Sequence, residues 1–194
     1  DRPRCRRADR PDDMLHRPKP DVALELYDRA RRNGIVVTWV TFDECYGKIV
    51  AFLDALRARG QGFVAEVPVT CTGWIEKPRT TTRRRSPTGR RARQPRLVQH
   101  SRPFREVREL LEQEPELRDQ PWQAWHVKDG EKGPMVWEAK HVWFHPRGVN
   151  DLPQEGAHLI VARNALEGEK IKFFVAHAPR ETPLGVLLKV AFSR

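Results

Sequence analysis

The run Ile35-Val36-Val37-Thr38-Trp39-Val40-Thr41-Phe42 constrains this chain more than any other stretch. Its β-branched and aromatic side chains suit a buried, pleated strand and suit a helix poorly. The run ends in two adjacent carboxylates, Asp43 and Glu44, followed by Cys45, Tyr46 and Gly47. Open α/β sheets place their chemistry beyond the carboxyl ends of the strands. Asp43 therefore has two readings, a metal-binding catalytic acid or the N-cap of the next helix.

Helical patterns flank the run. Residues 1–17 are polar, Arg-rich and broken by Pro3 and Pro11, which suits an extended lead-in. Pro20 and Asp21 then suit a helix start, Val22, Ala23, Leu26 and Ala30 recur at helical spacing, and Asn33-Gly34 is a stop signal. After Gly47, the positions of Ile49, Phe52, Leu53, Leu56 and Arg57 predict a second amphipathic helix, closed by Gly60. Phe63 to Val69 reads as another strand, apolar on consecutive positions and so covered on both faces. Helix, strand, helix, strand with short connections predicts a partly parallel sheet.

The composition then changes. No acidic residue lies between Glu76 and Glu106, and Arg79, Arg83, Arg84, Arg85, Arg90, Arg91, Arg93 and Arg96 crowd that gap with several prolines. This predicts a basic loop that contacts phosphates; its plainer reading is a solvated loop. A short charged helix is expected over Phe104 to Leu117. From Trp122 the hydrophobic period becomes two, with strands expected over 122–129, 135–145, 158–162 and 171–177. Gly130-Glu131-Lys132-Gly133 has hairpin-turn composition, and Thr182-Pro183 opens a last helix.

Charge narrows the function classes. The 194 residues carry a net charge of +10, which favours a polyanionic partner, nucleic acid first. No apolar run approaches the roughly 20 residues of a membrane helix. Cys5, Cys45 and Cys71 are widely spaced and suggest neither a disulfide framework nor a CxxC metal site. His141 and His145 face the same way in a strand, but no further ligands at zinc spacing accompany them. Trp122, Trp125, Trp137 and Trp143 share the β-rich segment and read as sheet core, with base stacking as the alternative. No P-loop, dinucleotide fingerprint or GxSxG elbow is present.

Pro11-Asp12-Asp13, Arg17-Pro18-Lys19-Pro20 and Trp39-Val40-Thr41-Phe42-Asp43-Glu44 with Tyr46-Gly47 resemble bacterial insertion-sequence transposases of the DDE superfamily. Further matches run through residues 61–68, 118–122, 127–134 and 159–164. The resemblance implies an α/β fold, a partial RNase H-like core carrying a β-rich, mostly antiparallel insertion. The implied division is 1–72 for the lead-in and partial core, 73–180 for the basic loop and insertion, and 181–194 for the start of a returning helix. It implies two magnesium ions held by Asp, Asp and Glu, with Asp43 as the second acid. The implied partners are DNA, at insertion-sequence ends and target, and a second copy in the complete enzyme, in a bacterial cytoplasm close to the nucleoid.

The chain begins at Asp1 and its apolar pattern is still running at its end, so a piece of a longer chain is expected. The family's first Asp and final Glu have no counterpart here. A fragment with one acid of three is expected to be catalytically silent alone. The rival expectation is a DNA-binding remnant without chemistry.

Overall fold

The computed structural model describes residues 17–82, 94–130, 133–166, 168 and 170–193. The chain divides into two units, Asp1–Val36 and Val37–Arg194. In the first, helix α1 (Lys19–Arg32) carries Pro20 in its opening turn, where a missing N–H leaves no bond unmade, and Asp21 at the positive end of the dipole. Glu25 pairs with Arg17 and, at 3.0 Å, with Arg29. Asn33 caps the helix and Gly34 turns the chain away at φ +79, as the stop signal predicts.

The second unit is built on an eight-stranded sheet. Strand β1 (Trp39–Phe42) pairs in parallel with β2 (Gly62–Val67). The two are joined by helices α2 (Glu44–Gly47) and α3 (Val50–Ala58). Numbering the later strands in chain order, β2 then pairs antiparallel with β10 (Ile171–His177), β10 with β9 (Ala157–Asn164), and β9 with β8 (Gly133–Pro146). The long β8 also holds β7 (Gln123–Gly130) and, near its end, β3 (Thr72–Trp74), which pairs with β6 (Arg105–Glu106). A separate ribbon joins β4 (Thr80–Thr81) to β5 (Arg96–Leu97). The fold is thus mixed α/β with a mostly antiparallel sheet, as expected, and strands after Gly73 pair antiparallel.

Helices cover both faces of the sheet. On one, Val64, Ile160, Ala162, Phe174 and Trp137 pack against Leu187, Leu188 and Phe192 at helix α6 (Leu184–Ala191). Successive strand residues point to opposite faces, so Phe63 faces the other way, where Phe42 meets it and in turn packs on Phe52 of α3. Burial of Phe63, Val64 and Ala65 together confirms a strand covered on both sides.

Two expectations are corrected. The strand expected from Ile35 begins only at Trp39, and Ile35 and Val36 are 56% and 74% exposed. The register explains this: Trp39 faces Gly62, the first residue of β2, so positions before Trp39 have no strand opposite them. β1 is also the end strand of the sheet and only half buried. The helix expected over Phe104–Leu117 is two helices, α4 (Val107–Gln113) and α5 (Pro115–Arg118). Pro115 drives Glu114 out of the helical region, to ψ 122, and breaks the ladder there.

Candidate functional site

Because β1 and β2 are parallel, their carboxyl ends lie at the same edge of the sheet, with Phe42 beside Ala65. Asp43 leaves β1 at this end. Its Oδ1 accepts a hydrogen bond from the Cys45 amide at 3.0 Å, which makes it the N-cap of α2. The side chain nevertheless stays exposed, and Oδ2 lies outside that bond. The cap reading and the catalytic reading are therefore compatible at one residue.

The turn around Asp43 is held from below. Phe42, Tyr46, Phe52 and Phe63 form a ring cluster with centroids 5.3 to 6.4 Å apart. Such pairs contribute about 0.5–1.5 kcal/mol each beyond their buried area. Gly47 allows the closest approach: a Cβ there would stand 1.8 Å from the carbonyl oxygen of Glu66. The aromatic-glycine pair after the two acids thus seats α2 directly on β2.

Other acids do not converge on Asp43. Glu44 is exposed next to it. Glu66, on an interior strand and not an edge, is bound to Lys172 at 2.7 Å. Asp54 pairs with Arg57 at 2.9 Å. Asp9, Asp12 and Asp13 lie outside the described residues. Among the described residues no group of three His, Cys, Asp or Glu could hold a metal ion. A two-metal pair needs several carboxylates from different elements, so the described residues do not form such a site.

Arg79 and Arg96 lie on the two sides of the β4–β5 ribbon, which is extended by a bond from the Val98 amide to the Arg79 carbonyl at 3.0 Å. Arg79 is exposed and Arg96 half-buried. Arg83, Arg84, Arg85, Arg90, Arg91 and Arg93 lie outside the described residues. Of the tryptophans, Trp137 faces Trp125 across the β7–β8 pair and packs 4.4 Å from Phe192, so it belongs to the core. Trp122 lies under Arg163 at 4.3 Å and Lys140 at 4.9 Å. His141 and His145 do not share a ligand: His141 bonds His158, and His145 bonds the carbonyl of Gln154. Cys45 and Cys71 are free thiols, and Cys5 lies outside the described residues.

Sequence reasoning passed over three cations, Lys48, Arg57 and Arg147, that line one cleft. One signal was present. Arg57 continues the apolar stripe of α3, four residues after buried Leu53, where a surface arginine is out of place.

No described helix is long and apolar enough to cross a membrane. Among curated proteins, none matches the chain. A family model described as DDE superfamily endonuclease matches residues 1–134, more than half of the 194-residue chain. The matched stretch contains Asp43, the parallel strand pair that carries it and the whole arginine run, and the chain belongs to the DDE superfamily of endonucleases.

Proposed function

We propose that the chain is the central part of a DDE-type DNA transposase of a bacterial insertion sequence, which cuts phosphodiesters at the element's ends and joins them to target DNA. The observation that carries this reading is an exposed carboxylate, Asp43, at the carboxyl end of a parallel strand pair inside the family match. In this reading β1, α2, α3 and β2 are half of an RNase H-like core. The place of β1 at the end of the sheet among the described residues supports it, because a strand carrying the first acid has an edge to pair with. Residues 73–180 are then the β-rich insertion and 181–194 the start of the returning helix, after a lead-in and partial core over 1–72.

Asp43 is the second of three acids in this reading. Magnesium ions belong to the complete enzyme, whose other carboxylates come from outside the described residues. The chain by itself is silent, because a catalytic set that acts as a unit loses nearly all activity when a member is missing. Arg79, Arg83, Arg84, Arg85, Arg90, Arg91, Arg93 and Arg96 contact phosphates and give affinity without sequence choice. The setting is the cytoplasm of a bacterium, near the nucleoid, with a homodimer as the working assembly. A second reading is a DNA-binding remnant without chemistry, which keeps the arginine contacts and drops the cleavage.

The test compares this chain with the complete reading frame on labelled insertion-end DNA in magnesium. The frame is expected to cleave, its Asp43→Asn variant to lose cleavage, and the chain alone to bind without cutting. Undiminished cleavage by Asp43→Asn would sink the catalytic assignment. Binding without cleavage by the complete frame would establish the remnant. No DNA affinity at low salt would remove both.

A further inference from the structure

A cleft of about 260 Å³ opens beside the end of α2 and the carboxyl end of β2. Lys48, Arg57 and Arg147 line it, with Thr70, Cys71 and Thr72, and among the described residues no aspartate or glutamate lines it. We propose that this cleft binds a phosphate group, and that the phosphate belongs to a DNA backbone. The second half of the proposal rests on the functional reading above; the first does not.

Asp54 pairs with Arg57 and Asp151 with Arg147, so Lys48 supplies the net charge that argues for an anion. Arg57 is only 12% exposed and stacks 5.3 Å from the centre of the Phe63 ring. Its Nη1 donates to Asp54 at 2.9 Å and to Gln154 at 2.5 Å, while Nε and Nη2 are buried with no hydrogen-bond partner among the described residues. Those two donors are covered, so Arg57 acts on the cleft through its charge. Valine and leucine in the walls, Val50, Leu53 and Val175, keep the local dielectric low and let that charge act at longer range.

The donors that reach the opening belong to other residues. Lys48 is exposed and has no ion-pair partner among the described residues. Arg147 gives Nε and Nη2 to Asp151, at 2.9 and 2.6 Å, which leaves Nη1 outside that pair. Thr70 and Thr72 add hydroxyl donors suited to phosphate oxygens. The Cys71 thiol is pushed up to about 12 by burial, against the pull of Arg57, so it stays neutral and does not compete with an incoming anion. Only α2, which ends at Gly47, separates Asp43 from Lys48 in the chain, so a phosphate bound here lies at the same end of the sheet as the exposed acid.

The test follows backbone amides of the 194-residue chain by NMR, with inorganic phosphate and with a short DNA duplex as separate probes. Phosphate is expected to shift Gly47, Lys48, Cys71 and Thr72 saturably, beyond what sodium chloride of equal ionic strength does. Lys48→Ala is expected to weaken this binding about fivefold and Lys48→Arg to restore it, with the amide spectrum otherwise unchanged. The duplex is expected to shift the same amides, and Lys48→Ala to lower the salt slope of DNA affinity by about 1. Phosphate binding without any duplex effect at these amides would overturn the DNA assignment. No saturable shift there with either probe would overturn the cleft itself, while DNA binding through other residues would leave the transposase reading standing.

Discussion

His141 and His158 are bound ring to ring, with Nε2 of the first 2.8 Å from Nδ1 of the second. The far nitrogen of His158, Nε2, lies 2.9 Å from the carbonyl oxygen of Pro179. A carbonyl only accepts, so His158 carries its proton on Nε2 and its Nδ1 is an acceptor. His141 must then donate from Nε2. The pair holds one tautomer each, and both rings are neutral. A proton on His141 Nδ1 leaves both bonds intact, whereas a proton on His158 Nδ1 keeps the bond between the rings only if His141 moves its own proton to Nδ1.

This arrangement makes stability depend on pH. Burial, and secondarily His158, lower His141 from 6.5 to about 4, and burial also lowers His145, His158 and His177. The unfolded chain takes up protons that the folded chain refuses. Stability is therefore full above pH 6.5 and falls as the pH drops toward about 4. After discounting partial exposure, the loss by pH 4.5 is about 1–2 kcal/mol. Urea midpoints at pH 7.5 and 4.5 measure it, and His141→Asn should narrow the difference. Equal midpoints in the unaltered chain would refute the argument.

Gly47 carries the second prediction. A methyl group there meets a backbone carbonyl, that of Glu66 at 1.8 Å, which cannot rotate aside. Gly47→Ala must push α2 off β2 and should cost about 3 kcal/mol or more in urea unfolding. Gly168, with nothing within 4 Å of an added Cβ, is the control, and Gly168→Ala should change stability by less than about 0.5 kcal/mol.

Lys140 carries the third. It is only 5% exposed, and its ammonium donates to the carbonyls of Leu117 and Arg118, at 2.7 and 2.9 Å, closing the end of α5. Burial, with Arg163 nearby, lowers its pKa, yet the two carbonyls hold its N–H groups. Lys140→Met leaves both acceptors without this donor and should cost about 2 kcal/mol. The change is read by urea unfolding and by a shift in the emission of Trp122, which loses one of its two cations.

What the sequence made legible was local. Pro20, Asn33-Gly34 and the stripe of Phe52, Leu53 and Leu56 mark helices within a few turns of chain, and those helices form. The strand over Ile171 to His177 likewise has its expected bounds, a short apolar run buried from Phe173 to Ala176 and set between polar residues. Errors came where partners are distant. Nothing in Ile35 to Thr38 says that the opposing strand starts at Gly62. Asp43 as a strand-end acid was legible, and so was its capping role. The cleft was not, since Lys48, Arg57 and Arg147 come from separate elements that only the folded sheet brings together. The His141–His158 bond was hidden for the same reason, as it crosses between β8 and β9.

Asp43 allows its capping role and its proposed catalytic role to be separated. The cap needs only an oxygen that accepts from the Cys45 amide, and the asparagine side chain supplies one. Asp43→Asn should therefore keep the stability of the chain within about 0.5 kcal/mol, while Asp43→Ala should lose about 1 kcal/mol. The proposed catalytic role needs the negative charge, which both variants lack. In the complete reading frame, both should abolish DNA cleavage, and only the alanine variant should also lower the urea midpoint. A stable Asp43→Asn enzyme that still cuts DNA would reduce Asp43 to a helix cap. An Asp43→Asn chain as unstable as Asp43→Ala would show that the charge beside α2 holds the turn.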